Sequence, residues 1–136
     1  MGAQKNKKEL QRLTLEQLIA ARDRREKDML RVEEIEIPSL GGTLLFKRPS
    51  DEIIFDMINV VKNDEDTKTI VDEMAKIIYK CCDQLHDQQL YEELDVGDPV
   101  DVVYAIMGSG DILEVGDKVC SMNSLFENVE EQIKNA

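Results

Sequence analysis

Residues 37–54 read IPSLGGTLLFKRPSDEII, and the fold turns on them. Ile37-Pro38-Ser39-Leu40-Gly41-Gly42 has the composition of a reversal, because Gly41-Gly42 tolerate positive φ and Pro38 stops a strand. Upstream, Val32 to Ile37 alternates, with Ile35 and Ile37 on one side and Glu34 and Glu36 on the other. That is the two-residue period of a strand. Downstream, Thr43 to Lys47 returns as a second strand. Ser50, followed by Asp51 and Glu52, is a helix N-cap with acids in the first turn, where the helix dipole favours them. A lone hairpin is marginal in water. Leu44 and Phe46 on one face and Leu45 on the other therefore favour a hairpin that braces a helical core, over an edge that pairs between subunits.

The rest of the chain reads as acidic helix. Thr14 and Gln17 form a capping box at the head of a leader helix. Leu15, Leu18 and Ile19 make a short apolar stripe, and ARDRREKDMLR (21–31) is polar from Arg22 to Asp28. A helix this polar cannot dock by burial alone, so it stands in solvent or works against a partner. Met1 to Lys8 has no apolar periodicity and is expected to fray. Ile53, Ile54, Met57, Ile58 and Val61 make a buried face that ends in a break at 63–66. A longer helix follows with Ile70, Val71, Met74, Ile77, Ile78 and Cys81 inward and Asp72, Glu73, Lys76 and Lys80 outward. After a break at 85–87, Leu90, Tyr91 and Leu94 face inward from a short helix. Asp98-Pro99 opens another helix carrying Val100, Val103, Tyr104 and Met107, with Gly108 as its stop.

The last segment carries the sharpest period. Ile112, Val115, Val119, Met122, Phe126, Val129 and Ile133 are spaced 3, 4, 3, 4, 3, 4, an apolar seam over three heptads. One helix is expected over about 110–134, with Gly116 and Asn123 weakening it by up to ~1 kcal/mol each. A seam this narrow suits a helix packed on one surface, either the chain's own core or another chain. These seven residues are the leading candidates for partner contact.

The sequence thus predicts a mainly α fold: a polar leader with a helix over 1–31, and a small helical domain over 32–136 with one β-hairpin at about 32–47. The 136 residues suffice for one modest core. With no Trp, three Phe and three Tyr, that core must be aliphatic. No apolar run approaches the ~18 residues of a membrane span. The polar N-terminus shows no secretory signal. Three cysteines, two adjacent, do not make a disulfide framework, so a reduced intracellular protein is expected. Charge is uneven. Residues 1–48 hold 11 Lys/Arg and 8 Asp/Glu, while residues 49–136 hold 6 and 21, a net of −15. Such a body repels nucleic acid and anionic lipid and attracts basic partners.

No catalytic, metal or cofactor pattern is legible. Cys81-Cys82-x3-His86 lacks the paired spacing of a zinc site. In the acidic stretch 63–68, Lys68 stands where a calcium loop opened by Asp64 needs oxygen, and Thr69 where it needs Gly. Gly108-Ser109-Gly110 follows a helix rather than a strand, unlike a dinucleotide turn. An enzyme is therefore not expected.

The order of these pieces resembles a known family. RREKDMLRVEEIEIPSL (24–40) runs into GGTLLFKRPSDEII (41–54), then a helix, then IIYKCCDQLHDQQLYEEL (77–94) and DPVDVV (98–103). Over roughly residues 24–126 the chain resembles the XkdN-like tail assembly chaperones of long-tailed phages, prophages and phage-tail-like particles. The resemblance implies a mainly helical fold with no catalytic residue. It implies a protein that holds the long, aggregation-prone tape measure protein in solution in the bacterial host cytoplasm until tail tube subunits polymerise around it, and that is absent from the mature particle. The tail tube protein, a frameshifted longer form of the chain and a second copy are the further partners it brings into view. The alternative is a structural interaction protein retained in a phage-tail-like particle.

Overall fold

Gly41 adopts φ +66, the left-handed conformation that a residue without a Cβ takes at little cost. It ends a short 3-10 turn over Pro38–Leu40 and reverses the chain between β1 (Val32–Ile37) and β2 (Gly42–Lys47). The computed structural model describes residues 10–135, with side chains as far as Val129. The segment expected to fray, Met1 to Lys8, lies outside them. The strands pair antiparallel with Ile35 opposite Leu44, Glu33 opposite Phe46 and Ile37 opposite Gly42. This register puts Ile35, Ile37, Leu44 and Phe46 on one face. Ile37 and Phe46 are fully buried there, whereas Leu45 on the other face is exposed. The hairpin is a brace lying on helices. Its outer edge is partly closed by Gln84, whose Oε1 accepts the Leu45 N–H at 2.8 Å.

The fold is mainly α, with seven α-helices and this one hairpin among the described residues. α1 (Leu15–Met29) precedes the hairpin. α2 (Asp51–Asn63), α3 (Thr67–Cys81), α4 (Gln88–Leu94), α5 (Asp101–Ile106), α6 (Ser109–Cys120) and α7 (Ser124–Asn135) follow it. The local signals act as their chemistry requires. Thr14 and Gln17 form the reciprocal capping box of α1, and Ser50 Oγ accepts the Ile53 N–H at 3.2 Å. Asp66 caps α3 through the Lys68 N–H, and Asp87 caps α4 through the Leu90 N–H.

α3 is the central element, packed against α2, α5, α6 and β2. Val71, Met74, Ala75, Ile77, Ile78 and Cys81 are buried along it. Being covered on so many sides, α3 also buries Glu73, which the sequence placed outward. The Glu73 carboxylate is met there by Lys76 Nζ at 2.8 Å. Tyr104 of α5 lies outside the core. It is 40% exposed, and its hydroxyl donates to the Asp72 carboxylate. A tyrosine can leave the core at modest cost because its polar tip finds a partner.

The C-terminal segment is two helices where one was expected over about 110–134. α6 ends at Cys120 and α7 starts at Ser124. Asn123 is the reason. Its side chain is buried, its Nδ2 donates to Pro49 O (3.0 Å) and Asp51 Oδ1 (2.9 Å), and its Oδ1 accepts the Leu125 N–H (3.0 Å). It caps α7 and ties the turn to the start of α2. Gly116 has a packing role beside its low helix propensity. It is buried where α6 crosses α3 against Met74.

Candidate partner-binding surface

The seam has its cover within the chain. Ile112, Val115 and Val119 are fully buried, and Met122 and Phe126 nearly so, all within the single core. Val129 is half-buried, and the Ile133 side chain lies outside the described residues. The first five therefore present no free apolar surface to a partner. That corrects their reading as a contact face. The 3, 4 spacing persists across the α6–α7 turn because Met122 and Phe126 still reach the same core.

Free apolar surface lies instead on α1. None of its fifteen residues is buried. Leu15, Leu18 and Ile19, one helical stripe, are 73%, 52% and 44% exposed, and Leu10 and Leu13 just before the helix are equally open. Met29 continues the stripe at the other end.

The base of α1 is fixed to the body by charge. Arg48, next to the hairpin, has a side chain only 6% exposed. Its Nε lies 3.2 Å from Asp28 Oδ2 of α1, and its Nη2 lies 3.7 Å from Asp51 Oδ1 of α2. Arg25 of α1 donates to Asp51 Oδ2 at 3.4 Å, and Arg31 donates to Met122 O at 3.2 Å. The Asn123 hydrogen bond, then the charges of Arg48 and Arg25, hold the Asp51 carboxyl below its usual range against the opposing effect of desolvation. Backbone completes the junction, with Arg48 N–H donating to Arg31 O at 2.9 Å. The ties come from Arg25, Asp28 and Arg31. The aliphatic half of the helix stands away from them.

A cleft of about 300 Å³ opens at this base. Met29, Leu30, Ile53 and Cys81 give it apolar lining, and Lys47 and Lys80 place cations beside it. On α2, Phe55 is 51% exposed between exposed Glu52 and Asp56.

The residues that resemble reactive or metal-binding patterns have structural surroundings. Cys81, Cys82 and Cys120 are buried and are not joined in disulfides. Burial pushes the Cys81 thiol up to about 11 and raises Cys82 as well. His86 has its ring 4.3 Å from the Tyr79 ring and Nε2 2.6 Å from Tyr79 O. Asp64 accepts from Thr69 Oγ1 at 2.8 Å, so the acidic turn 63–66 is occupied with capping. No three His, Cys, Asp or Glu among the described residues are grouped to hold a metal ion. No helix among them is long and apolar enough to cross a membrane.

The junction around Arg48 escaped sequence reasoning, since Arg48, Asp28 and Asp51 belong to separate elements and no local pattern joins them. The α1 stripe was legible from the capping box and from Leu15, Leu18 and Ile19. Comparison of the chain with protein family models, with curated proteins and with solved structures returns no match.

Proposed function

We propose that this protein is a holding chaperone of phage or prophage tail assembly that keeps the tape measure protein in solution. The reading rests on the resemblance of residues 24–126 to the XkdN-like chaperones. The observation that carries its mechanism is the leader helix: capped, tied at its base, without a buried residue, and bearing Leu15, Leu18 and Ile19 in the open. A holding protein needs an apolar contact surface that does not drive its own precipitation. Here the aliphatic stripe sits on a chain of net charge −12, and that charge keeps the complex dispersed. The stripe lies against the client's apolar helical faces, and the acidic body faces water. Binding of this kind is reversible and sequence-tolerant, so polymerising tube subunits displace it. The role requires no cofactor and no catalytic group.

The test is co-expression of tape measure fragments with the wild-type chain or with Leu15→Asp/Leu18→Asp. Wild type yields soluble complex. The double variant folds normally and leaves the fragments in the pellet. A variant that still holds the fragments would overturn this surface as the contact. Failure of the wild-type chain to solubilise any fragment would overturn the client. Purified particles discriminate the remaining alternative, because a retained tail component is found in them and a chaperone is not.

A further inference from the structure

A helix of fifteen residues with no buried side chain is marginal on its own, even with a good cap. Its aliphatic stripe therefore gains from cover outside the monomer. The charges indicate what gives that cover. Residues 1–31 carry nine Lys/Arg against five Asp/Glu, and residues 32–136 carry eight against twenty-four. Two copies therefore repel body to body and attract leader to body. Arg22 lies one turn beyond Leu18 and Ile19 on the stripe's side of α1, and its pair with Asp23 is exposed to screening, while Arg12, three residues before Leu15, has no ion-pair partner among the described residues. On α2, Glu52 and Asp56 lie one turn apart, likewise without an ion-pair partner there. Exposed Phe55 stands between them. One surface offers aliphatic side chains with Arg22 beside them and Arg12 just ahead of them, and the other offers an aromatic beside free anions.

We propose that, when no client is bound, the leader helix α1 of one copy docks through Leu15, Leu18 and Ile19 on the Phe55 face of α2 of a second copy. The contact joins unlike surfaces, so it is head-to-tail. It leaves one leader and one α2 face free at the ends of any open assembly, and it closes only as a ring. The stripe proposed to hold the client is then covered in storage, and client and second copy compete for it. The docking itself rests on the leader's charge and on Phe55, and stands apart from the identity of the client.

The experiment is sedimentation and light scattering of the full-length chain across a wide concentration range, at low salt and at about 1 M salt, where the Debye length falls to about 3 Å. Low salt gives species larger than a monomer as concentration rises, and high salt weakens them. Leu18→Asp and Phe55→Asp each raise the concentration needed for assembly at least about tenfold. Both retain the wild-type circular dichroism spectrum, because both positions are exposed. Mixing the two variants is decisive. Each lacks a different half, so a mixture retains one intact leader and one intact α2 face and forms a heterodimer that neither variant forms alone. A monomer at every concentration overturns the proposal, and leaves the client reading standing if the same monomer still holds fragments. Assembly abolished by Leu18→Asp but untouched by Phe55→Asp also overturns it, since the leaders then pair with each other. So does a mixture that stays monomeric.

Discussion

Gly116 and Met74 sit so close at the α3–α6 crossing that a Cβ built on Gly116 would lie 2.8 Å from both the Cβ and the Sδ of Met74. The Met74 Cβ is fixed to its backbone, so relief requires the helices to separate. Gly116→Ala improves helix propensity by up to ~1 kcal/mol, and overpacking opposes it by ~1–3 kcal/mol. A net destabilisation of about 1 kcal/mol is expected in urea titration. Adding Met74→Ala to the variant should cost less than the two single changes together. A more stable Gly116→Ala would mean that this crossing yields easily.

Asn123 makes a second test. Removing its side chain leaves Pro49 O, Asp51 and the Leu125 N–H without their partner, and Asn123→Ala should lose about 1–3 kcal/mol. Part of that loss depends on pH. The folded-state pKa of Asp51 lies below its ordinary value of 3.8, first because of the Asn123 hydrogen bond. Its contribution is thus present above about pH 4 and disappears as the pH falls through the lowered folded value. The stability gap between wild type and Asn123→Ala should narrow between about pH 6 and about pH 3. A gap that is constant or widens would show that the Asp51 carboxylate is not the partner that matters.

The hairpin and most helix starts were legible because their signals are local. Gly41, Ser50 and the Thr14–Gln17 box each act within four residues of themselves. The break at Asn123 was not, because the groups that make it worthwhile, Pro49 O and Asp51, lie more than seventy positions away. The seam was legible as apolar, but a 3, 4 repeat says only that one face is covered. Whether α3 or another protein covers it depends on packing that no single segment encodes. Burial of Glu73 has the same origin, since α3 is surrounded and its expected polar face is not all in water.

The thiols offer a check on the core that leaves the fold untouched. Burial pushes Cys81 up to about 11 and encloses all three sulfurs. At neutral pH the thiolate that reacts is scarce and out of reach. Alkylation of the native protein at about pH 7.5 should be slow at all three positions and rapid once urea unfolds the chain. Fast native modification at Cys81 would mean that the cleft beside Met29 and Leu30 opens to its floor.

Phe126 and Leu18 separate core from contact surface in one comparison. Phe126 is 8% exposed on α7, whereas Leu18 is 52% exposed on α1. Phe126→Asp places a carboxylate in the core and should cost ~3 kcal/mol or more. Leu18→Asp should change stability by no more than ~0.5 kcal/mol, the usual range for an exposed site. Ile77→Ala, at a site 2% exposed in the central helix, calibrates the scale at ~2–4 kcal/mol. All three are read from denaturant midpoints. If Phe126→Asp keeps the wild-type midpoint while Ile77→Ala loses its share, α7 leaves the body in solution. The lower end of the seam would then be open to a partner after all. If Leu18→Asp unfolds the chain, the leader is bound to the body more tightly than its exposure implies, and its stripe is not free to hold anything else.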